Sequence, residues 1–145
     1  SRLITYLLDV NLLLALSDPM HIHHEPAHQW FGATAHFSWA TCPLTENGFV
    51  RIASHPNYPN RPGEVQAVLA LLRQFCALEG HIFWPDDISL REIISTKAAM
   101  THGQITDHYL LALAVRHGGK LATLDRRLSA GVVSGGKAAI EQLPA

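Results

Sequence analysis

The sequence predicts an α/β domain built on a short, mostly parallel β-sheet of four to five strands flanked by helices. Three observations carry this. Short β-rich runs alternate with helical periodicity in the order strand–helix–helix–strand–helix–helix–strand–helix–helix–strand, the pattern of crossover connections. The runs Leu3–Leu8 and Lys120–Leu124 carry few polar residues, as strands covered on both faces do. The 145 residues are 48% apolar and 16% charged, which suits a single domain over 1–145 with a sizeable core.

Leu3–Leu8 is broken only by Thr5 and reads as the first strand, and the apolar run Leu12–Leu16 reads as a helix packed on both sides. Asp9 falls at the junction, with Asn11 two residues on. Pro19 and Pro26 bracket a loop, and Pro26 suits the first position of a helix reaching about His36. Phe37–Cys42 reads as a strand. Pro43 opens the next helix, which carries Glu46 about one turn in. His55–Pro62 is a proline-rich loop, and Glu64–Leu78 a helix with Val65, Val68, Leu69, Leu72, Phe75 and Cys76 on its apolar face. Gly80 stops it, and His81–Trp84 is a third strand. Asp86 and Asp87 read as turn and cap residues before the helical stretch 89–100.

Thr106 is the expected N-cap of the following helix and Asp107 its first residue. Leu110, Leu111, Leu113, Ala114 and Val115 cover so much of this helix that it must be buried nearly all round. Gly118 and Gly119 end it. Lys120–Leu124 is a strand closed by Asp125, and if the chain stays extended Thr123 and Asp125 point the same way. Gly131–Lys137 is a loop, and Ala138–Leu143 an edge strand.

Net charge is -1 with ten histidines uncounted, so a nucleic-acid partner would rely on local patches rather than a global polycation. Arg51, Arg61, Arg73, Arg116, Arg126, Arg127 and Lys137 are the candidates, with solvated surface charge the ordinary alternative for each. Cys42 and Cys76 lie among apolar residues without a CxxC partner, as buried free thiols of a reducing compartment do. Asp9 and Asn11 interrupt the first apolar stretch, no cleavage site follows it, and no span is long enough for a membrane. A cytoplasmic protein is expected.

His24-Glu25-Pro26-Ala27-His28 spells HExxH, a zinc-protease pattern. The pattern needs both histidines on one helical face. With Pro26 opening the helix, His24 falls outside it, so a structural role is expected for both.

Four acids remain. In a parallel sheet the strand carboxyl ends share one edge, where ligands of open α/β sheets gather. Asp9 and Asp125 end strands, Glu46 lies one turn past a strand, and Asp107 opens a buried helix, so all four can converge. Taken singly, Asp9 also suits a helix cap and Glu46 a partner for a helix dipole. Two unit charges about 4 Å apart repel by about 4 kcal/mol at an effective dielectric near 20. Four such groups stay ionised together only around a cation. All-oxygen ligands favour Mg²⁺ or Mn²⁺ over zinc, ions whose usual work is on phosphate esters.

LLDVN, PLTENGFVRI, QITDHYLLALA and LATLDRRL, in that order from about Leu3 to Leu128, resemble the PIN-domain nucleases. More narrowly they resemble the VapC-type toxins of bacterial toxin–antitoxin pairs. The resemblance implies a PIN fold, Mg²⁺- or Mn²⁺-dependent endoribonuclease activity on RNA, a homodimer, and inhibition by a cognate VapB-type antitoxin. By matching motif, Asp9, Glu46, Asp107 and Asp125 would be the acidic, metal-holding catalytic set, with Asn11 and Thr123 as supporting polar positions. Leu12–Leu16 and the Trp30–Phe31 helix are expected to form part of a groove for the antitoxin. A PIN nuclease acting on DNA, or in RNA processing outside a toxin–antitoxin pair, is the alternative. A haloacid-dehalogenase-like phosphatase fits less well, since it wants an Asp where Asn11 stands.

Overall fold

The computed structural model describes residues 3–94 and 99–143. Five strands, β1 (Tyr6–Leu8), β2 (Trp39–Thr41), β3 (His81–Phe83), β4 (Lys120–Thr123) and β5 (Ile140–Gln142), form one sheet in the order β3-β2-β1-β4-β5. Every pairing is parallel. All five carboxyl ends therefore lie on one edge, and β1 is the centre.

The alternation along β1 sets the two cores. Tyr6 and Leu8 face one side and Leu7 the other. On the first side pack α1 (Val10–Ser17), α2 (His24–Trp30), α3 (Pro43–Ala53) and α4 (Val65–Cys76). On the second lies α6 (Ile105–Arg116), in which every residue from His108 to Ala114 is buried. Each fully buried leucine there contributes about 2 kcal/mol of transfer free energy. Gly118, at φ 70°, ends α6 in the left-handed region. A Cβ on Gly119 would sit 2.4 Å from the Thr5 carbonyl oxygen, so only glycine lets β4 start beside β1.

Four expectations need correction. The helix holding HExxH begins at His24, not Pro26. Proline is tolerated there because a first-turn N–H has no intrahelical acceptor to lose. His24 and His28 thus share a face, their ring centroids 4.3 Å apart. Their ring nitrogens instead meet the Ala15 and Leu16 carbonyl oxygens at 2.8 and 2.9 Å, satisfying acceptors at the end of α1. The helix continues as a wider π-type turn over Phe31–Ala35.

Secondly, Thr106 is not a cap. A 3₁₀ turn over His102–Gln104, boxed by Thr101 and Gln104, precedes α6, and Asp107 is the third residue of α6 rather than the first. Thirdly, Ser89 caps the short helix α5 (Leu90–Ile93) by accepting from the Arg91 N–H, while Asp87 pairs with His117 at 3.1 Å. Residues 95–98 of the expected helix lie outside the described residues. Finally, among the described residues Leu12–Leu16 form no open docking face; Leu13 and Leu16, with Phe31, border only a small recess of about 100 Å³. Leu12–Leu16 are at most 8% exposed and belong to the core, while Trp30 packs edge-on against Tyr6 and Phe31 against Trp39. Among the described residues no helix is long and apolar enough to cross a membrane.

Candidate active site

β1 stops at Leu8 and α1 starts at Val10, so Asp9 is the joint between them. Its backbone N–H bonds the Ala122 carbonyl oxygen, the next rung of the β1–β4 ladder. The residue is 6% exposed and its two carboxylate oxygens have separate partners. Oδ1 accepts from the Val10 N–H at 2.8 Å, and Oδ2 accepts from the Thr123 hydroxyl at 2.7 Å. Asp9 is both a helix cap and one wall of an acidic site. The two roles use different atoms.

Thr123, the last residue of β4, is fully buried. Its hydroxyl donates to Asp9 and accepts from the Asn11 amide at 3.3 Å and the Asp125 N–H at 3.0 Å. Asn11 Oδ1 accepts in turn from the Leu124 N–H at 3.3 Å. One buried hydroxyl thus fixes the Asp9 carboxylate and the turn that carries Asp125. Asp125 Oδ1 accepts from the Arg127 backbone N–H at 2.8 Å.

Asp107 reaches the same place from the first turn of α6. Burial, then the charges of Asp9 and Asp125, push its carboxyl up to about 6, with Arg127 pulling the other way. Burial also raises Asp9; the bonds from Thr123 and Val10 oppose this, and Asp125 adds to it. The charges of Asp9 and Asp125 thus disfavour ionisation of Asp107, and that of Asp125 disfavours ionisation of Asp9. Asp125 and Arg127 line both a cleft of about 810 Å³, which also takes in Asn11, Asp18 and Tyr58, and a recess of about 240 Å³ that includes Asp107. An all-oxygen set whose members resist ionising together fits a hard divalent cation.

Glu46 is placed differently. It sits in the first turn of α3, and its Oε2 accepts from the Thr41 hydroxyl at 2.7 Å. Its neighbours are Cys76 and His81, and it is not among the charges that shift Asp9 or Asp107. The structure brings Asp9, Asp107 and Asp125 together, with Asn11 and Thr123 beneath them, and turns Glu46 toward β2 and β3.

Sequence reasoning passed over Thr41, His81 and Asp18. Thr41 ends β2 as Thr123 ends β4, and each donates to a carboxylate; a threonine closing a buried strand is the signal that both share. Asp18 is 7% exposed and accepts from Tyr58, Asn60 and the Met20 N–H, tying the proline-rich loop to the end of α1 at the cleft. Burial alone would raise its carboxyl, but these bonds and His21 hold it below the usual value. Nothing local announced that partnership, which spans 40 residues.

The PIN domain family matches residues 6–131, and the chain belongs to that family, within its VapC branch. Ribonuclease VapC39 of Mycobacterium tuberculosis (strain ATCC 25618 / H37Rv) is 42% identical over 137 residues, covering 89% of this chain and 97% of that protein. Ribonuclease VapC38 of the same strain is 45% identical over 122 residues, 82% of this chain and 84% of that protein. A chain from the structure of FitAB bound to the IR36 DNA fragment superposes with a TM-score of 0.61 over 94% of both chains. At 19% identity that likeness shows the fold.

Proposed function

We propose that the protein is a Mg²⁺- or Mn²⁺-dependent endoribonuclease of the VapC type, hydrolysing RNA phosphodiester bonds. The observation that carries this is the meeting of Asp9, Asp107 and Asp125 at the sheet's carboxyl edge, where burial and then the charges of the other two hold Asp107 at about 6. Such a set is unfavourable in a protein that does nothing with it. Relatives named ribonucleases, up to 45% identical, supply the substrate class.

Asp9, Asp107 and Asp125 would hold one or two hard divalent ions, and Glu46 would complete the shell directly or through water after leaving Thr41. When bound, such an ion offsets charge on the scissile phosphate and acidifies the attacking water. Asp9 or Asp107 orients that water for in-line attack and accepts its proton. Thr123 and Asn11 do no chemistry; they fix the rotamers of the acids. Arg126 and Arg127, on the wall of the larger cleft, contact flanking phosphates. On the same reading the protein is a cytoplasmic homodimer silenced by a VapB-type antitoxin, which places a basic side chain among the aspartates in place of the ion.

The test is cleavage of a single-stranded RNA by purified protein, beside a DNA strand of the same sequence. EDTA abolishes RNA cleavage and Mg²⁺ or Mn²⁺ restores it. Cleavage that survives EDTA removes the metal from the proposal, and cutting of the DNA alone removes the ribonuclease assignment. Mapping the cuts in total RNA then identifies the target.

A further inference from the structure

Glu46, Cys76 and His81 come from three elements, the first turn of α3, the last residue of α4 and the first of β3. They offer one carboxylate oxygen, one thiol sulfur and one imidazole nitrogen, all within 4.8 Å of one another. Thr41 Oγ1 lies among them, 2.7 Å from Glu46 Oε2, 2.7 Å from His81 Nε2 and 3.9 Å from Cys76 Sγ. The hydroxyl has one proton, which goes to Glu46, so His81 Nε2–H donates to Thr41. Among the described residues Cys76 has a single long, weak contact, to Thr41 Oγ1 at 3.9 Å. The His81 ring is held edge-on against the buried Trp39 at 4.8 Å, which fixes the direction of its nitrogens.

We infer that Glu46, Cys76 and His81 form a second cation site, selective for a zinc-class transition ion rather than for Mg²⁺. Thiolate and imidazole are ligands that borderline and soft ions take and hard ions refuse. Tetrahedral Zn²⁺ with bonds of about 2.0–2.3 Å sets its ligand atoms about 3.3–3.7 Å apart. The present spacing closes to that by side-chain movements of about 1 Å, with the fourth position left to water. On binding, the thiol proton and the His81 Nε2 proton leave to solvent or to the other ring nitrogen, and Glu46 and His81 exchange Thr41 for the ion. The aspartates, with oxygen alone, have no share in this preference.

The site's existence does not depend on the nuclease reading. One consequence does rest on it: an ion held here keeps Glu46 away from the three aspartates.

Cobalt(II) chloride is the probe, because a cobalt–thiolate bond gives a charge-transfer band that carboxylates cannot. It is titrated into the full chain carrying Asp9→Asn and Asp107→Asn, which disables the aspartate site. The expected result is a thiolate band saturating at about one ion per chain, displaced by Zn²⁺ and not by excess Mg²⁺. Adding Cys76→Ser abolishes the band. Adding His81→Gln, which keeps the thiol and a hydrogen-bonding side chain, weakens binding at least about tenfold. No band overturns the proposal, as does a band that survives Cys76→Ser or an affinity unchanged by His81→Gln. No cleavage is measured, so a failed nuclease assay and a failed cation site are told apart.

Discussion

Thr123 gives its one hydroxyl proton to Asp9 Oδ2 at 2.7 Å while the same oxygen accepts from the Asp125 N–H at 3.0 Å. A single side chain thereby sets the orientation of one acid and the backbone leading to another. Thr123→Val keeps the shape and removes the oxygen. It is expected to lower stability by about 2 kcal/mol, the worth of a buried hydrogen bond to a charged group, read by urea denaturation. Cleavage should fall further than stability explains, because Asp9 and Asp125 lose their fixed placement. Unchanged cleavage in a folded Thr123→Val protein would remove Thr123 from the site.

Asp9→Asn, Asp107→Asn and Asp125→Asn separate capping from chemistry. Asparagine caps helices about as well as aspartate, so Asp9→Asn leaves α1 intact. Each variant should fold as well as the parent or better, bind Mn²⁺ poorly in calorimetry, and cut RNA at least about 100-fold more slowly. If Asp9→Asn cuts at the parental rate in saturating Mg²⁺, capping is the residue's whole role.

Asp107 makes stability depend on pH in a particular direction. Its carboxyl titrates at about 6 in the fold against 3.8 ordinarily. Between these values the folded chain holds a proton that the unfolded chain has lost. Metal-free protein should therefore gain stability from this group as pH falls from 7 through 6 towards 4. Burial lowers His21 and His81, which work in the opposite sense below their usual value. The difference between parent and Asp107→Asn isolates the aspartate. It should shrink steadily as pH falls across that window in thermal melts, and a constant difference would falsify the raised carboxyl.

His24 and His28 serve the end of α1 through the Ala15 and Leu16 carbonyls. His24→Ala and His28→Ala are each expected to cost about 1 kcal/mol of stability and to leave RNA cleavage intact. A loss of activity accompanied by loss of bound zinc would reinstate the HExxH reading.

The fold class, the strand order along the chain and three of the four acids' meeting place were legible because they rest on local signals. Apolar runs of strand length, a proline opening α3 and glycines closing α6 each act within a few residues. What was not legible depended on partners far away in sequence. Pro26 looked like a helix opener because the sequence does not show that His24 can bond back to α1 and start the helix two residues earlier. Glu46 reads as a fourth member of the acidic group from its position one turn past β2, but the direction of its side chain was not legible. Its orientation is set by Thr41 and by β3, whose place at the sheet edge only the topology reveals. Leu12–Leu16 suggested a binding surface because their number exceeds one face of a helix, yet α1 is enclosed by the sheet and its neighbouring helices.

The sheet order has a consequence for timing. Asp9 directly follows the first strand and Thr123 ends the fourth, 114 residues apart, yet they are neighbours because β4 pairs directly with β1. A ribosome has to deliver nearly the whole domain before that pairing can form, and long-range parallel pairing is slow to close. A chain still being made carries Asp9 and Glu46 without Asp107, Asp125 or the threonine that aligns them. On the proposed mechanism it gains the means to cut RNA only once β4 and Asp125 have emerged and β4 has paired with β1.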